Sequence, residues 1–303
     1  RTTNNQKVIY FLLIRMENKE TEQHPLGFFL PENTQLLMLG SFPPPKARWS
    51  MNFYYPNIQN DMWRILGTIF YQDKEYFLET KKAFSEEKAK QFCKEKGICV
   101  CNAAGYSTNA VAELAFGLAI SVLRNIPACD AVCRKEGTKA GLVGCELFGK
   151  TFGVVGTGAI GSKVAKIAQA FGCKVVAYSR TVKPEMQGAG IEYLPLEDVL
   201  KVSDIVSLHV PLNDKTKGLI GEKEIALMKK NAILLNTARG PVVDSEALAK
   251  ALNEERIAGA GIDVFEMEPP VPADHPLLHS KHTVVTPHVA FASHEALFTR
   301  AQI

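Results

Sequence analysis

A glycine-rich segment between a predicted strand and a predicted helix constrains the fold more than any other feature. It reads Gly156-Thr-Gly158-Ala-Ile-Gly161, follows an apolar strand at 151–156 and begins a helix at 159–171. In this setting the first glycine permits a tight turn, the second lets the backbone approach a pyrophosphate, and the third lets helix and strand pack closely. The helix N-terminus adds amide dipoles that favour an anion. The segment predicts dinucleotide binding, with Ala159 and Ile160 beside the glycines.

Short apolar strands alternate with helices through the rest of the chain. The predicted strands are 174–178, 205–210, 232–236, 258–264 and 283–286, and the predicted helices are 111–123, 196–202, 222–229 and 245–252. Such alternation implies right-handed crossovers and a parallel sheet with helices on both faces. We therefore predict an α/β fold: a doubly wound, parallel Rossmann-type sheet, preceded by a small, incomplete α/β lobe.

Composition excludes several other classes of protein. The chain has 303 residues, 46% hydrophobic and 22% charged, which is typical of globular domains. It lacks an apolar run of the roughly 20 residues that a membrane span needs, and no cleavage site follows its N-terminal apolar run. Seven cysteines without an export signal are typical of reduced thiols. We expect a cytoplasmic protein with no membrane association and no nucleic-acid partner. The net charge of +3 makes no nucleic-acid patch and by itself decides nothing about partners.

The N-terminal third follows a different pattern. We predict a strand at 35–40, a loop with three prolines, and helices at 58–70 and 85–96. Because one strand and two helices make a small core, Trp63, Ile65 and Phe70 are expected to be poorly covered. Residues 1–26 receive no assignment. The chain starts with Arg, so we expect its first 15 residues to be upstream translation, a ragged fragment end or a trimmed terminus.

The residues after the second sheet strand bear on cofactor choice. An NAD-binding fold usually has an acidic residue at this point, which bonds the ribose 2′-hydroxyl. Here Ser179 and Arg180 follow the strand, and no acidic residue occurs between Gly153 and Glu185. A guanidinium matches a 2′-phosphate in charge and geometry. The pair favours NADP over NAD, with a solvent-facing Arg180 and a permissive NAD site as the alternative.

Three chemically versatile residues follow other predicted strands. They are Arg239 in Asn-Thr-Ala-Arg-Gly, Glu268 in Glu-Met-Glu-Pro, and His288 in Thr-Pro-His. A guanidinium can bind a carboxylate, an imidazole can exchange a proton near neutral pH, and an adjacent carboxylate raises the imidazole pKa. Each residue alone has a structural alternative: a surface charge, a turn residue before proline, and the end of a strand.

Together these motifs resemble the D-isomer-specific 2-hydroxyacid dehydrogenases over residues 99–303. Further matches are Asn102-Ala-Ala-Gly-Tyr-Ser-Thr-Asn-Ala-Val-Ala-Glu113 and His209-Val-Pro-Leu. The resemblance implies hydride transfer between a nicotinamide cofactor, NADP or NAD, and a small 2-oxo or 2-hydroxy acid. It implies that Arg239 binds the substrate, that His288 is the acid/base supported by Glu268, and that Asp263 holds the nicotinamide carboxamide. Pro211 and Thr237 would line the cofactor.

Residues 27–98 resemble another family, the uracil-DNA glycosylase superfamily. The resemblance rests on Leu-Gly-Ser-Phe-Pro at 39–43 and on the segment at 52–66, and it covers less than half of such a domain. The family's water-positioning Asn falls on Asn60, for which a helix-capping role is the alternative. A His-containing downstream motif has no counterpart. We therefore predict a chimera joined at 94–98, with a base-excision module or a cofactor-binding but inactive hybrid as the alternative functions.

The sequence also bears on assembly and on metal binding. The helix at 111–123 is apolar almost all round, which predicts a homodimer interface or burial within one subunit. Family members dimerise in this region. Pairs such as Cys129 and Cys133 lack the usual spacing of zinc ligands, so we expect no metal. Three histidines, His275, His279 and His282, follow a proline-rich loop and are expected to be solvated.

Overall fold

The structure is a computed structural model that describes residues 36–40, 49–58, 61–102, 105–267 and 270–302. The chain divides after residue 103 into two compact units. The division falls beyond the predicted seam at 94–98 because the strand that follows the seam pairs with the first strand of the chain. Each unit is described by itself below.

Within its described residues, the first unit combines two small sheets with two helices. Its elements are β1 (Leu36–Gly40), α1 (Met62–Tyr71), β2 (Leu78–Thr80), β3 (Ala83–Phe84), α2 (Glu86–Glu95) and β4 (Ile98–Asn102). Strands β1 and β4 pair in parallel, and β2 and β3 form an antiparallel hairpin. Helix α2 begins after Ser85, whose hydroxyl caps the amide of Lys88, and Gly97 follows the helix with a φ of 57°.

Aromatic side chains fill the core of this unit. Trp63 is fully buried, its indole nitrogen donates to the carbonyl of Tyr54 at 2.9 Å, and its ring lies 5.1 Å from that of Phe77. The prediction that Trp63 is poorly covered is therefore wrong, because residues 49–58 and the β2–β3 hairpin supply the packing that two helices alone lack. The same prediction holds for Ile65 and Phe70, which are 51% and 46% exposed.

The second unit alternates strands and helices. Its strands are β5 (Thr151–Val155), β6 (Lys174–Tyr178), β7 (Glu192–Tyr193), β8 (Ile205–Leu208), β9 (Ile233–Asn236), β10 (Gly259–Ile262) and β11 (Thr283–Val285). Its α-helices are α3 (Thr108–Leu123), α4 (Ile126–Cys133), α5 (Ala159–Ala170), α6 (Pro184–Gly188), α7 (Leu196–Val202), α8 (Glu222–Leu227), α9 (Ser245–Asn253) and α10 (His294–Gln302).

The seven strands form one parallel sheet in the order β11-β10-β9-β8-β5-β6-β7. The chain builds outward from β5 through β6 to β7, and then returns to the other side of β5 with β8. This reversal creates a switch point between β5 and β8, where parallel α/β sheets bind their ligands. The predicted doubly wound parallel sheet is confirmed.

Alternate strand residues feed two apolar layers, one on each face of the sheet. Val155, Val206 and Leu234 belong to the layer that includes α7, α8 and α9. Val154, Ile205 and Leu235 belong to the layer that includes α3 and α5. Because side chains alternate along a strand, a central strand that is covered on both faces must be mostly apolar, as β5, β8 and β9 are. The sheet is thereby a rigid base for the loops at its edges.

Helix α3 is buried mostly against its own unit. Ala112, Ala115 and Leu118 lie in the layer that it shares with the sheet. Asn109, Glu113 and Gly117 are exposed and spaced by four, so the helix has a narrow polar stripe that was not predicted from the sequence.

No single helix of the described residues is long and apolar enough to cross a membrane. Helices α3 and α4, with a bend of 60° between them, meet that test only as a pair.

Several short elements were not predicted. They are the β2–β3 hairpin, β4, α4, α6, β7 and α10. Helix α4 buries no residue, so it has no apolar stripe to detect, and β7 spans only two residues. Helix α1 begins at Met62 and not at Ile58, whose carbonyl instead accepts a hydrogen bond of 2.7 Å from Arg64.

Candidate active site

The glycine loop lies at the carboxyl end of β5, beside the switch point. Gly156 has a φ of 97°, and a Cβ there would approach the carbonyl oxygen of His209 to 2.7 Å. A Cβ on Gly161 would collide with the carbonyl of Gly156. A Cβ on Gly158 would meet nothing within 4 Å. Two of the glycines are therefore required by the fold, and the third leaves space that a ligand can approach.

The first turn of α5 follows this open glycine. Gly158 is the N-cap residue in an extended conformation, Ala159 is exposed and Ile160 is half-buried. The first amides of a helix have no intrahelical partner and favour a negative charge. The predicted pyrophosphate contacts therefore fall on an accessible helix N-terminus.

Polar side chains from outside the motif brace the loop. The buried Thr157 hydroxyl accepts a hydrogen bond of 3.0 Å from the Tyr193 hydroxyl, and the Thr157 carbonyl accepts one of 2.9 Å from Ser162. The Lys183 ammonium donates to the Ser162 hydroxyl at 3.2 Å. None of these hydrogen bonds was predicted from the sequence. Only Thr157 carried a signal, as a polar residue within a motif of small apolar ones.

The predicted ribose selectors follow β6. Ser179 is half-buried, and Arg180 is exposed. The Tyr178 carbonyl just before them accepts a hydrogen bond of 2.7 Å from the Gly156 amide, so this turn is tied to the glycine loop. Arg180 makes no hydrogen bond or ion pair within the described part of the chain. Its guanidinium is accessible to an anion beside the loop.

An asparagine organises the turn after β9. The Asn236 side-chain oxygen accepts from the Ala238 amide at 3.1 Å, and its amide group donates to the Arg239 carbonyl at 3.0 Å. This local closure leaves the Arg239 side chain exposed, with one guanidinium nitrogen 2.6 Å from the Ala238 carbonyl. A strand-ending asparagine is a recognisable signal for such a turn, but the sequence analysis did not use it.

Thr237 lies in the same turn and has an unusual environment. Its side-chain oxygen is buried and has no hydrogen-bond partner among the described residues. A buried hydroxyl without a partner is costly, so such atoms commonly mark a position that a ligand or water completes. Thr237 was predicted to line the cofactor, and an unsatisfied hydroxyl at this edge of the sheet is compatible with that role.

Asp263 follows β10 and holds the segment that carries His288. The Asp263 side chain is fully buried. Its oxygens accept hydrogen bonds from the Thr286 hydroxyl at 2.6 Å and from the amides of Val289 and Ala290 at 2.9 and 3.0 Å. The predicted contact between Asp263 and a nicotinamide carboxamide stays a prediction. In the structure the Asp263 carboxylate is hydrogen-bonded to residues 286, 289 and 290 of the same chain.

His288 is held in an uncommon backbone conformation. Its φ is 58°, in the left-handed region, and its amide donates to the carbonyls of Asp263 and Thr286 at 2.8 and 3.0 Å. The half-buried imidazole lies edge-on to the Phe291 ring, with 5.9 Å between ring centroids. Such conformations persist where surrounding contacts enforce them, and they are enriched at functional sites. Glu268, the predicted support for His288, lies outside the described residues.

The loop after β8 completes this edge of the sheet. The His209 ring nitrogen Nε2 lies 2.9 Å from the Ser207 hydroxyl, and burial lowers the pKa of His209 to about 4. His209 is therefore neutral at physiological pH. The exposed Pro211, a predicted cofactor-lining residue, offers its carbonyl to the Thr216 hydroxyl at 2.5 Å.

The carboxyl ends of five parallel strands thus bring the predicted residues to one edge. The glycine loop follows β5, His209 follows β8, Arg239 follows β9, Asp263 follows β10 and His288 follows β11. The open space at Gly158, the helix N-terminus and the orphaned Thr237 hydroxyl fit a dinucleotide. Within the described residues no group of three or more His, Cys, Asp or Glu side chains could hold a metal ion.

Comparison with known proteins agrees with this geometry. Residues 116–290 match the family described as "D-isomer specific 2-hydroxyacid dehydrogenase, NAD binding domain". The chain belongs to the D-isomer-specific 2-hydroxyacid dehydrogenase family. A glyoxylate reductase of Thermococcus litoralis is 49% identical over 211 residues, which are 67% of this chain. The chain spans only 63% of that relative's length.

Solved dehydrogenase structures resemble the chain over a similar extent. A D-lactate dehydrogenase from Lactobacillus jensenii with NAD+ is 36% identical, with a TM-score of 0.63, covering 70% of this chain and 68% of that one. An acyclic imino acid reductase in complex with NADPH and D-Arg is 37% identical, with a TM-score of 0.61, covering 70% of this chain and 67% of that one. Family members therefore occur with either nicotinamide cofactor.

Proposed function

We propose that this chain reduces a small 2-oxo acid to the 2-hydroxy acid with a nicotinamide cofactor. The observation that carries the proposal is the convergence of the glycine loop, the exposed Arg239 guanidinium and the braced His288 at one edge of the sheet. The similarity to a glyoxylate reductase supports the same reaction class and suggests glyoxylate or hydroxypyruvate as first substrates to test.

The protein's part in this reaction is to bind, orient and protonate. A bound nicotinamide supplies the hydride. The Arg239 guanidinium is exposed and can bind the substrate carboxylate as a bidentate, charge-assisted pair. The His288 imidazole holds the proton that the carbonyl oxygen takes up as it becomes an alcohol. Glu268 is proposed to keep that imidazole protonated, as in the resemblance from which its role was inferred.

The test is steady-state oxidation of NADPH with glyoxylate, hydroxypyruvate or pyruvate. His288→Asn is the informative variant, because asparagine tolerates the left-handed conformation that His288 adopts yet cannot act as an acid at neutral pH. We expect it to lower kcat by about 10²- to 10⁴-fold while cofactor affinity is unchanged. Arg239→Gln should chiefly raise the KM for the acid. Unaltered turnover in both variants would refute the assignment.

We also propose a preference for NADPH over NADH. Arg180 is exposed, lies two residues beyond a carbonyl bonded to the glycine loop, and has no acidic partner within the described residues. A 2′-phosphate would give the guanidinium a charge-assisted partner.

On assembly, we propose that the chain forms a homodimer. Helix α3 exposes a narrow polar stripe, whereas the exposed Val143 and Phe148, 88% and 76% accessible, offer apolar surface for a second copy.

The measurement for assembly is mass by light scattering. A dimer that Val143→Ser with Phe148→Ser converts to a monomer would support the homodimer, and a monomeric wild type would remove it. The glycosylase-like function of residues 27–98 stays a prediction, since the family match begins at residue 116 and Asn60 lies outside the described residues. Base release from a uracil-containing duplex would support it. Dinucleotide binding without either activity would support an inactive hybrid.

A further inference from the structure

A polar cluster of the buried Ser245 and His275 and the half-buried Glu266 lies beside the Arg239 turn and has no part in the proposed chemistry. His275 is 7% exposed, so the expectation that it is solvated is wrong, whereas His279 and His282 are exposed. The His275 Nε2 lies 3.0 Å from a carboxylate oxygen of Glu266, and its Nδ1 accepts from the Leu277 amide at 3.3 Å. Because Nδ1 is an acceptor, Nε2 carries the proton and donates to Glu266.

Glu266 is the centre of this cluster. Burial disfavours its charged form, but hydrogen bonds from Ser245 and His275 outweigh that cost and hold the pKa of its carboxyl below the ordinary value. The Phe265 ring lies edge-on to the His275 ring at 5.1 Å. Three chain segments therefore meet at one carboxylate: the start of α9, the loop after β10, and the turn before residues 276–278.

The backbone beside Glu266 is pressed against the turn that carries Arg239. A Cβ on Gly240 would collide with the carbonyl group of Phe265 and lie 2.5 Å from the Glu266 amide nitrogen. Only a glycine fits this contact. Ser245 constrains the same turn from its other end, five residues after Gly240 in the chain. A shift of the Glu266 backbone cannot occur without moving Gly240, and hence Arg239.

We propose that Ser245, Glu266 and His275 form a strut that positions the Arg239 guanidinium for the substrate carboxylate. Glu266 and His275 are positioning residues, since they act through the backbone at 265–266 and Gly240. The proposal rests on the proposed 2-oxo acid reduction for its catalytic consequence. Its structural content, that the cluster fixes the Arg239 turn, is independent of any activity.

The experiment uses the full chain with four variants. Glu266→Ala and His275→Ala remove the strut, and Glu266→Gln keeps an acceptor oxygen at the same place. Leu252→Ala is the matched control, because Leu252 is fully buried on α9 but belongs to the apolar layer and not to the cluster. Two quantities are measured: hydrogen exchange of peptides that cover 237–243, and the affinity of the NADPH complex for oxamate, a 2-oxo acid analogue.

We expect faster exchange at 237–243 in both strut variants, but not in Leu252→Ala. We also expect oxamate affinity and the KM for glyoxylate to weaken by on the order of tenfold or more, with kcat less affected, NADPH affinity unchanged and partial rescue by Glu266→Gln. Unchanged exchange in the strut variants would overturn the proposal. If the wild type neither binds oxamate nor turns over, the proposed function fails, and the exchange comparison still decides whether the strut exists.

Discussion

Replacing Asp263 by asparagine should test how the fold holds His288, the proposed acid/base. Asparagine keeps one oxygen, which can still accept from the Thr286 hydroxyl and the Val289 amide. Its amide group, however, would face the Ala290 amide, and two donors would oppose each other in a fully buried place. Hydrogen bonds to charged groups contribute about 1.5–3 kcal/mol, and a buried unpaired donor costs about 1–3 kcal/mol.

We therefore expect Asp263→Asn to destabilise the second unit by about 2–4 kcal/mol, which is less than the sum of all three bonds because two can re-form. For a unit of about 200 residues this corresponds to a fall in Tm of about 5–15 °C. The catalytic effect has a separate cause. The left-handed φ of 58° at His288 costs on the order of 1–3 kcal/mol. The hydrogen bonds that Asp263 accepts offset this cost in the folded state.

Once those bonds weaken, His288 can relax to an ordinary conformation, and its imidazole leaves the position from which it protonates the substrate. We expect kcat to fall by about 10²-fold, since displacement of a catalytic group by about 1 Å has effects of that size. Thermal melts followed by circular dichroism and steady-state assays with glyoxylate measure the two effects.

Asp204 provides a matched control. It accepts the Thr151 amide at 2.9 Å and the Lys229 ammonium at 3.0 Å, but it precedes β8 and so lies at the opposite edge of the sheet. Asp204→Asn should lower Tm with kcat unchanged. If Asp263→Asn lost stability while retaining full kcat, or lost neither, the role of Asp263 in holding His288 would be refuted.

Three further predictions concern the cofactor loop and its surroundings. Gly161→Ala should destabilise the fold by about 1–3 kcal/mol in urea unfolding because its Cβ meets the Gly156 carbonyl, whereas Gly158→Ala should leave stability unchanged and abolish dinucleotide binding in fluorescence titrations. Arg180→Ala should weaken NADPH about tenfold and leave NADH unchanged in the same titrations, and equal NADPH affinity would make Arg180 a bystander. Because burial lowers the pKa of His209 from 6.5 to about 4, unfolding midpoints should fall as the pH drops from 6.5 toward 4, and His209→Gln should flatten that dependence.

The sheet could be predicted from sequence because its information is local. The central strands β5, β8 and β9 are apolar at most positions, and each change from strand to helix is marked by a glycine, a proline or a capping residue. The glycine loop was predictable for the same reason, since a turn, a close approach and a helix start occur within six residues. Elements without an apolar stripe, such as α4, carried no such signal.

The polar contacts of the site could not be predicted, because their partners are distant in the chain. Asp263 receives its three hydrogen bonds from residues 23 to 27 positions later. The family resemblance implied a cofactor contact for Asp263, and nothing in the sequence around it indicated these intrachain partners. Trp63 and His275 were misjudged in the same way, since each is buried by segments that the sequence pattern did not bring together.

Two acids at this edge, the buried Asp263 and the half-buried Glu266, bear on how an apolar sheet can support chemistry that needs defined side-chain placement. Apolar packing fixes where the strands lie, but it is not directional and cannot set the orientation of a loop. Hydrogen bonds to a buried carboxylate are directional and costly to lose. Asp263 accepts them from the His288 segment, and Glu266 accepts them from Ser245 and His275 beside the Arg239 turn. If His288 and Arg239 have the proposed roles, the two are held by separate acids, so loss of one acid should leave the function of the other residue measurable.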